Sequence, residues 1–222
     1  MDTMLLECIW TIEGPLMIGT GQSRAGYADS IVRTKSGEGT PIIPGDAVKG
    51  AIRQSAELLS RWLMNDGNSR SHRMDDESFP NNPVVRRIFA PAYYEPFYRF
   101  GCKVKENKGK MRFTSTAIEP DSGAAKDHSL RVQEIGTPLS AYTVTITGRG
   151  GKWSDPESTD SFDLVFLSAA VLSTEAVGGR KGSGFGRIKV SGMSCTINKV
   201  ERELEWSAES LGHLREHLRI RK

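Results

Sequence analysis

Alternating or β-branched patterns along the chain predict four β-strands, and helical spacing of apolar residues predicts two helices. The predicted strands cover 4–13, 111–118, 141–147 and 187–197. The predicted helices cover 47–64 and 162–176. Apolar residues occupy both sides of the first strand, so we expect it at the centre of a sheet. The order along the chain is strand, helix, strand, strand, helix, strand.

This order is typical of an α+β domain of the ferredoxin-like, or RRM-like, βαββαβ type, in which a four-stranded sheet carries two helices on one face. We expect residues 1–222 to form one such domain with long insertions. Residues 65–110 are rich in Gly, Pro, Asn and charge, and they are predicted to form an irregular insertion. Asp46 is a candidate N-cap for the first helix, and a short helix over 202–222 is a further possibility.

Charge and cysteine content narrow the class of protein. The chain has 30 basic and 27 acidic residues, so a nucleic-acid role has to depend on local clusters of charge. Cys8, Cys102 and Cys195 lie far apart, which excludes a disulfide framework and favours a reducing, cytoplasmic location. The sequence predicts no signal peptide and no membrane partner. A structural zinc on Cys102 and His72 would have too few ligands.

Basic residues cluster in three segments. Residues 86–112 contain eight basic and two acidic residues interleaved with aromatic ones, which suits single-stranded nucleic acid, although a solvated loop with core aromatics explains them equally well. Residues 178–190 combine five glycines with four basic residues, more than a tight turn requires. Lys49 and Arg53 project from one side of the first predicted helix, and such a pair is also common on a solvated helix face.

Two of these segments carry a family resemblance. The sequence IIPGDAVKGAIRQ (42–54) and the sequence GGRKGSGFGRIKV (178–190) resemble, in the same order, two signatures of the RAMP superfamily of CRISPR-associated proteins. Residues 118–140 are similar to the thumb-like β-hairpin of that family. Within the superfamily, the chain most resembles the Csm-like backbone ribonuclease subunit of type III effector complexes.

The resemblance implies a function and a set of site residues. Such subunits bind CRISPR RNA and cleave complementary target RNA. Residues 26–32 resemble the segment that carries the family's catalytic aspartate, which implies that role for Asp29, although Ile31 replaces the family's proline. Lys49 and Arg53 are implied to hold the guide backbone. Residues of the glycine-rich loop are implied to cradle it from the other side: Gly178, Gly179, Arg180, Lys181, Gly182, Ser183, Gly184 and Arg187.

The implied mechanism and partners follow from that role. The hairpin flips a base pair, and the 2′-hydroxyl of the target then attacks the adjacent phosphate in line. Asp29 acts as a general base or holds a divalent cation such as magnesium. The implied partners are CRISPR RNA, target RNA, other copies or related RAMP subunits in a helical stack, and the large and small effector subunits. Asp46 and Pro120 depart from the family pattern.

Other functions remain open from the sequence. A RAMP scaffold that holds guide RNA without cutting differs only in lacking a working Asp29, and an Asp in a glycine-rich loop often serves an Asx-turn instead. A CRISPR RNA processing ribonuclease would carry two ferredoxin-like halves and an early histidine, whereas the first histidine here is His72. An ordinary RRM protein would have paired aromatics on its central strands, where this chain offers at most Trp10 and Phe113.

Overall fold

The computed structural model describes residues 2–35, 39–64, 83–89, 98–155 and 158–202. The strands are β1 Asp2–Ile12, β2 Tyr98–Glu106, β3 Lys110–Ser115, β4 Arg131–Gly136, β5 Ser140–Gly151, β6 Ile188–Ile197 and β7 Val200–Arg202. The helices are α1 Gly45–Met64, α2 Pro83–Ile88 and α3 Thr159–Leu172. The suggested helix over 202–222 lies outside the described residues, apart from Arg202 at the end of β7.

One antiparallel sheet organises the domain, with strand order β2-β5-β1-β6-β7. The alternate side chains of β1 from Met4 to Ile12 are buried, and β5 and β6 flank it on either side. The order β1, α1, β2, β5, α3, β6 along the chain, with β1 central, confirms the ferredoxin-like α+β fold.

The identity of one sheet strand differs from the sequence prediction. The strand expected at 111–118 is β3, which pairs with β4 in a separate two-stranded sheet. Its place in the main sheet belongs to β2, inside the segment predicted to be an irregular insertion. The period-two pattern of β2 is obscured by the charged composition of the segment. Outward residues such as Arg99 and Lys103 are charged, while Tyr98 faces inward and Phe100 is half-buried.

The β3–β4 hairpin occupies most of the region predicted to be thumb-like. Its strands are 110–115 and 131–136, so the hairpin starts before the predicted bound of 118, and residues 116–130 form the connection. Residues 65–82 and 90–97 of the predicted insertion lie outside the described residues. The described remainder of the insertion contains α2 and β2.

Helix α1 packs closely against the edge of the sheet and against α3. It begins at Gly45, so Asp46 lies in its first turn and is not the N-cap that the sequence suggested. Val48, Ile52 and Ala56 lie on its buried face. A Cβ atom on Gly45 would lie 2.3 Å from the carbonyl oxygen of Phe100 in β2. The glycine of this segment therefore allows the helix to contact the strand backbone.

Helix α3 is shorter at its end than predicted. Ser158 caps its start, accepting a hydrogen bond from the Ser161 amide to its Oγ over 3.0 Å. The helix ends at Leu172 and not at 176, and Ser173 forms the C-cap. Asp163 of α3 is fully buried and forms a bidentate ion pair with Arg87 of α2, which ties the two helices together.

The three cysteines are free, and Cys8 and Cys195 are buried. Burial raises the pKa of the Cys8 thiol to about 12. Within the described ranges, no helix has the length and apolar character needed to span a membrane.

Candidate nucleic-acid interface

Asp29 lies on the surface of the long loop after β1, against the outer edge of β4. Its amide donates to the carbonyl of Val132 over 2.7 Å, and the Val132 amide donates to Asp29 Oδ2 over 2.7 Å. The other oxygen, Oδ1, accepts no hydrogen bond from any residue that the structure describes. The carboxylate is therefore fixed by a strand distant in sequence, not by a local Asx-turn, and one oxygen remains available.

The turn immediately before Asp29 is closed by its own backbone. The Arg24 amide donates to the Ala28 carbonyl over 2.8 Å, and the Ala28 amide donates back to the Arg24 carbonyl over 3.0 Å. Gly26 has a φ of +70°, a conformation that favours glycine. Ala28 is buried, so the turn is fastened to the domain directly before Asp29.

Tyr27 in this turn is anchored to a buried carboxylate. The Tyr27 hydroxyl donates to Glu134 Oε1 over 3.0 Å, and Lys110 Nζ lies 2.7 Å from the same oxygen. Burial raises the pKa of Glu134, but hydrogen bonds from Lys110, Tyr27 and the Val32 amide outweigh it, so the pKa lies below its usual value. Glu134 is therefore ionised near neutral pH and holds the Tyr27 ring in place.

Two guanidinium groups lie on the Tyr27 ring. The Arg24 Cζ atom is 5.4 Å from the ring centroid, and the Arg112 Cζ atom is 5.3 Å from it. Both arginines are exposed and lie within the range of cation–π attraction. Three elements thus meet here: the loop after β1, β3 and β4.

The glycine-rich loop 178–186 is fastened beside the exit of β1. The Gly179 amide donates to the Met17 carbonyl over 2.8 Å, and the Gly186 amide donates to the Pro15 carbonyl over 2.8 Å. Gly186 has a φ of +63°, and a Cβ atom there would lie 1.8 Å from the Val177 carbonyl oxygen. In contrast, Gly182 has open space around it. Lys181, Gly182, Ser183 and Gly184 are exposed.

The loop contacts the β3–β4 hairpin through Arg180 and Phe185. Arg180 donates from Nη2 to Ser115 Oγ over 3.2 Å, and its guanidinium lies 5.7 Å from the Phe113 ring centroid. Phe113 meets Phe185 edge to face, with centroids 5.2 Å apart. The opposite side chains of β3, Lys110 and Arg112, reach Glu134 and Tyr27, so the hairpin joins the glycine-rich loop to the Asp29 loop.

Helix α1 joins the same region through Lys181, whose Nζ donates to Gln54 Oε1 over 2.8 Å. Arg53, next to Gln54, pairs with Glu57 over 2.8 Å along the helix. Lys49 is half-buried one turn earlier on the same helix. The structure therefore brings the glycine-rich loop to the helix on which the sequence placed the two basic candidates.

Arg187 is directed elsewhere. Its Nε lies 3.6 Å from Glu13 Oε2 at the end of β1, and its side chain is largely exposed. Arg187 and Lys181 line a cleft of about 440 Å³ whose apolar wall includes Phe185 and Ile188. Of the predicted residues, Arg180 and Lys181 therefore contact the other candidate elements directly, while Arg187 borders the cleft beside them.

Several residues of this region were not among the candidates from sequence: Arg24, Tyr27, Gln54, Arg112, Phe113 and Glu134. Basic clustering included Arg112 and Lys110, and the family-like segment included Tyr27, but neither signal assigned them a site role. Their relationship depends on the register of β3 with β4, in which Arg112 is opposite Glu134. No local pattern indicates that register.

Within the basic segment 86–112, the pleat of β2 directs aromatic and basic side chains to opposite faces of the strand. Tyr98 is 1% exposed, and Phe100 stacks on Phe89 with centroids 5.6 Å apart, so these rings belong to the core. Arg99, Lys103 and Lys105 are exposed. Tyr93, Tyr94 and Phe97 lie outside the described residues.

Few protein groups in the described part of the chain suit a divalent cation. No group of three or more His, Cys, Asp or Glu side chains that could hold a metal occurs in the part of the chain that the structure describes. Mg²⁺ commonly binds through one or two carboxylates together with water and substrate phosphates. The open Oδ1 of Asp29 fits that mode, in which the substrate supplies further ligands.

The fold and loops define a ferredoxin-like domain with a glycine-rich loop and an Asp-bearing loop on one hairpin. A model of the RAMP superfamily matches residues 11–189, and the chain belongs to that superfamily. No curated protein matches the sequence.

A solved structure described as the type III-B Cmr-beta bound to cognate target RNA, determined by cryo-EM, contains a similar chain, with a TM-score of 0.57 and 12% identity. The match covers 87% of this chain and 61% of that chain, so this chain spans less than two thirds of its length. At this identity, the likeness shows the fold.

Proposed function

We propose that this chain is a backbone subunit of a type III CRISPR effector complex, which binds CRISPR RNA and cleaves complementary target RNA at Asp29. One observation supports this most strongly: the β3–β4 hairpin is contacted by the Asp29 loop at Val132 and by the glycine-rich loop at Ser115. Membership of the RAMP superfamily and the fold shared with a chain of a target-RNA complex point the same way.

The guide is proposed to follow helix α1 and the glycine-rich loop. Lys49 and Arg53 supply cations on the helix, and Arg180 and Lys181 supply cations on the loop. The Lys181–Gln54 hydrogen bond connects these two elements. Gly182 and Gly184 are exposed, and glycine allows a phosphodiester backbone to approach closely.

The target is proposed to pass Asp29. The 2′-oxygen of the target nucleotide attacks the adjacent 3′-phosphate, and the P–O5′ bond breaks. The products carry a 2′,3′-cyclic phosphate and a 5′-hydroxyl. Asp29 receives the proton of the 2′-hydroxyl, and the departing 5′-oxygen takes a proton from water. The hydrogen bond from the Val132 amide to Oδ2 leaves Oδ1 to perform this task.

A divalent cation such as magnesium would be held by Asp29 and would offset negative charge at the reacting phosphorus. In that case, Asp29 Oδ1 is the protein's ligand. The turn that ends at Ala28 and the bond to Val132 keep that oxygen in position before RNA binds.

A non-catalytic scaffold is the second candidate, and the Asp29–Val132 hydrogen bond is the observation that favours it. A carboxylate that accepts a long-range bond from a backbone amide has a structural use even without catalysis. In that case the chain would bind guide RNA and neighbouring subunits, while cleavage would belong to another subunit.

Two substitutions at Asp29 separate these functions. Asp29→Asn retains an oxygen that accepts from the Val132 amide but removes the charge, whereas Asp29→Ala removes both. We expect cleavage of labelled target RNA by the guide-bound complex to fall at least about 100-fold in both variants, while target binding persists. Glu201→Gln, on the exposed end of β7, is the charge-matched control and should cleave normally.

The scaffold alternative predicts a different result. If Asp29→Asn cleaves at the normal rate and only Asp29→Ala loses cleavage or binding, the Asp29 side chain stabilises the loop and does not take part in cleavage. If the wild-type complex binds target but does not cleave it, the nuclease proposal is wrong for this subunit.

The proposed partners are CRISPR RNA, target RNA, further copies or related RAMP subunits stacked along the guide, and the large and small effector subunits. A head-to-tail contact between such copies gives an open helical array instead of a closed ring. Electron microscopy of the guide-bound assembly tests this arrangement, because a closed ring would contradict it.

A further inference from the structure

Arg24 and Arg112 present two guanidinium groups on one ring, close to Asp29. Both are exposed, and neither forms an ion pair with a carboxylate in the part of the chain that the structure describes. Glu134 Oε1 is bound by Lys110 and Tyr27, and its buried Oε2 accepts no hydrogen bond from either arginine. The hydrogen-bond donors of both guanidinium groups are therefore available to an anion.

Arg24 and Arg112 give this surface two positive charges that suit an anionic ligand. Both guanidinium groups are positively charged, and an exposed cation–π contact is weak on its own. Phosphodiester oxygens that reach these two groups would accept charge-assisted hydrogen bonds from them. Arginine suits this task because its planar fork of donors matches phosphate geometry.

The position of the pair relates it to Asp29. Tyr27 lies two residues before Asp29, within the closed turn. On β4, Val132 binds the Asp29 carboxylate, and Glu134, two residues further, binds Tyr27. Arg112 is opposite Glu134 in register, so these two side chains share one face of the hairpin. Asp29 and the two arginines therefore neighbour the same short stretch of β4.

We propose that Arg24 and Arg112, held on Tyr27, form a two-arginine site for the phosphodiester backbone of the RNA beside Asp29. The site stabilises the negative charge that grows on the phosphate oxygens as the 2′-oxygen attacks. This inference rests on the proposed function for its catalytic consequence, and its phosphate-binding part stands on the geometry of the arginines alone.

The anchoring of Tyr27 explains why the site is set before RNA arrives. The ionised, buried Glu134 fixes the hydroxyl end of the ring, so the ring offers both guanidinium groups a fixed platform. Tyr27 acts here as a positioning residue. Tyr27→Phe keeps the ring but loses the bond to Glu134, and it should lower the cleavage rate less than loss of either arginine.

The experiment uses Arg24→Gln, Arg112→Gln and the double variant. The first measurement is the salt dependence of the affinity of the full chain for labelled single-stranded RNA. The slope of log K against log salt should fall by roughly 0.7 for each lost phosphate contact. The second is single-turnover cleavage by the guide-bound complex, where each single variant should lose about tenfold or more.

The controls separate charge, geometry and folding. Arg149→Gln removes an exposed positive charge at the far end of β5 and should leave cleavage unchanged. Arg24→Lys and Arg112→Lys keep the charge but lose the forked donor geometry, so the salt slope should be retained while cleavage falls. The urea midpoint of each variant checks that the fold persists.

Each outcome decides between the two proposals. If Asp29→Asn abolishes cleavage while the double arginine variant keeps its salt slope and its rate, the arginine site is wrong and the proposed function stands. If the wild-type complex never cleaves but the double variant loses salt slope, the nuclease function is wrong and the phosphate site stands. An unchanged slope in the double variant overturns the arginine site in either case.

Discussion

Replacing Gly45 by alanine tests how closely helix α1 contacts the sheet. The added Cβ atom would lie 2.3 Å from the Phe100 carbonyl oxygen, whereas ordinary contacts begin near 3.4 Å. The helix or β2 must therefore move by about 1 Å. Overpacking of this kind costs about 1–3 kcal/mol, and here the obstacle is backbone, which cannot rotate away.

Gly50 provides a matched control on the same helix. It is exposed, and a Cβ atom there meets no heavy atom within 4 Å. Gly50→Ala should therefore stabilise the fold by about 0.5–1 kcal/mol, because alanine loses less backbone entropy in a helix. The same substitution, five residues apart, is expected to change stability in opposite directions.

Thermal and urea unfolding of the full chain measure both variants. For a chain of this size, each kcal/mol moves Tm by about 2–4 °C, so Gly45→Ala should lower Tm by about 2–12 °C and Gly50→Ala should raise it by about 1–4 °C. A Gly45→Ala variant as stable as the wild type would refute the close contact between α1 and β2. A destabilised Gly50→Ala variant would show that the outer face of α1 is not open.

Two further predictions concern buried carboxylates. Arg87→Ala leaves the fully buried Asp163 without its guanidinium partner, so the free energy of unfolding in urea should fall by about 3–5 kcal/mol. Adding Asp163→Asn should recover part of that loss. Equal stability of Arg87→Ala and the wild type would contradict this prediction. The pKa of Glu134 is lowered in the folded state, so its charged form contributes stability above the ordinary pKa of about 4.3, and that contribution is lost as pH falls through the folded-state pKa. Glu134→Gln should therefore be less stable than the wild type near pH 7, and the two urea midpoints should converge as pH falls below the ordinary glutamate pKa.

The central elements were predictable because their patterns are local. The buried alternation of β1, the amphipathic face of α1 and the β-branched run of β5 each depend on residues within about a dozen positions. Their ends were less predictable. Helix α3 ends at Leu172 because Ser173 caps it, although apolar spacing continues to Ala176.

Strand β2 was not predictable from composition, because the chain around it is dominated by charge and turn-forming residues. Its inward positions are Tyr98, Phe100, Cys102 and Val104, a regular period of two. Outward Arg99 and Lys103 lower the mean hydropathy enough to hide that period. Since β2 is an edge strand, its outward cations are consistent with protection of the edge.

The candidate site was predictable where the family resemblance or a local cluster of basic residues indicated it. Asp29, Arg180 and Lys181 came from motif segments, and the structure connects their elements through the hairpin. Tyr27 and Arg112 depend on contacts between residues 85 positions apart, which are fixed by the β3–β4 register and by the closed turn.

The separation of rings from cations in β2 also bears on how RNA would be recognised. Stacking of bases on aromatic rings requires exposed rings, but Tyr98 and Phe100 of this strand pack into the core. Elsewhere, Tyr27 is covered by two guanidinium groups, and Phe113 lies between Arg180 and Phe185. The contacts available in the described part of this region are therefore mainly to phosphates, and such contacts do not depend on base identity. Under the proposed function, sequence selection would then fall to base pairing between guide and target.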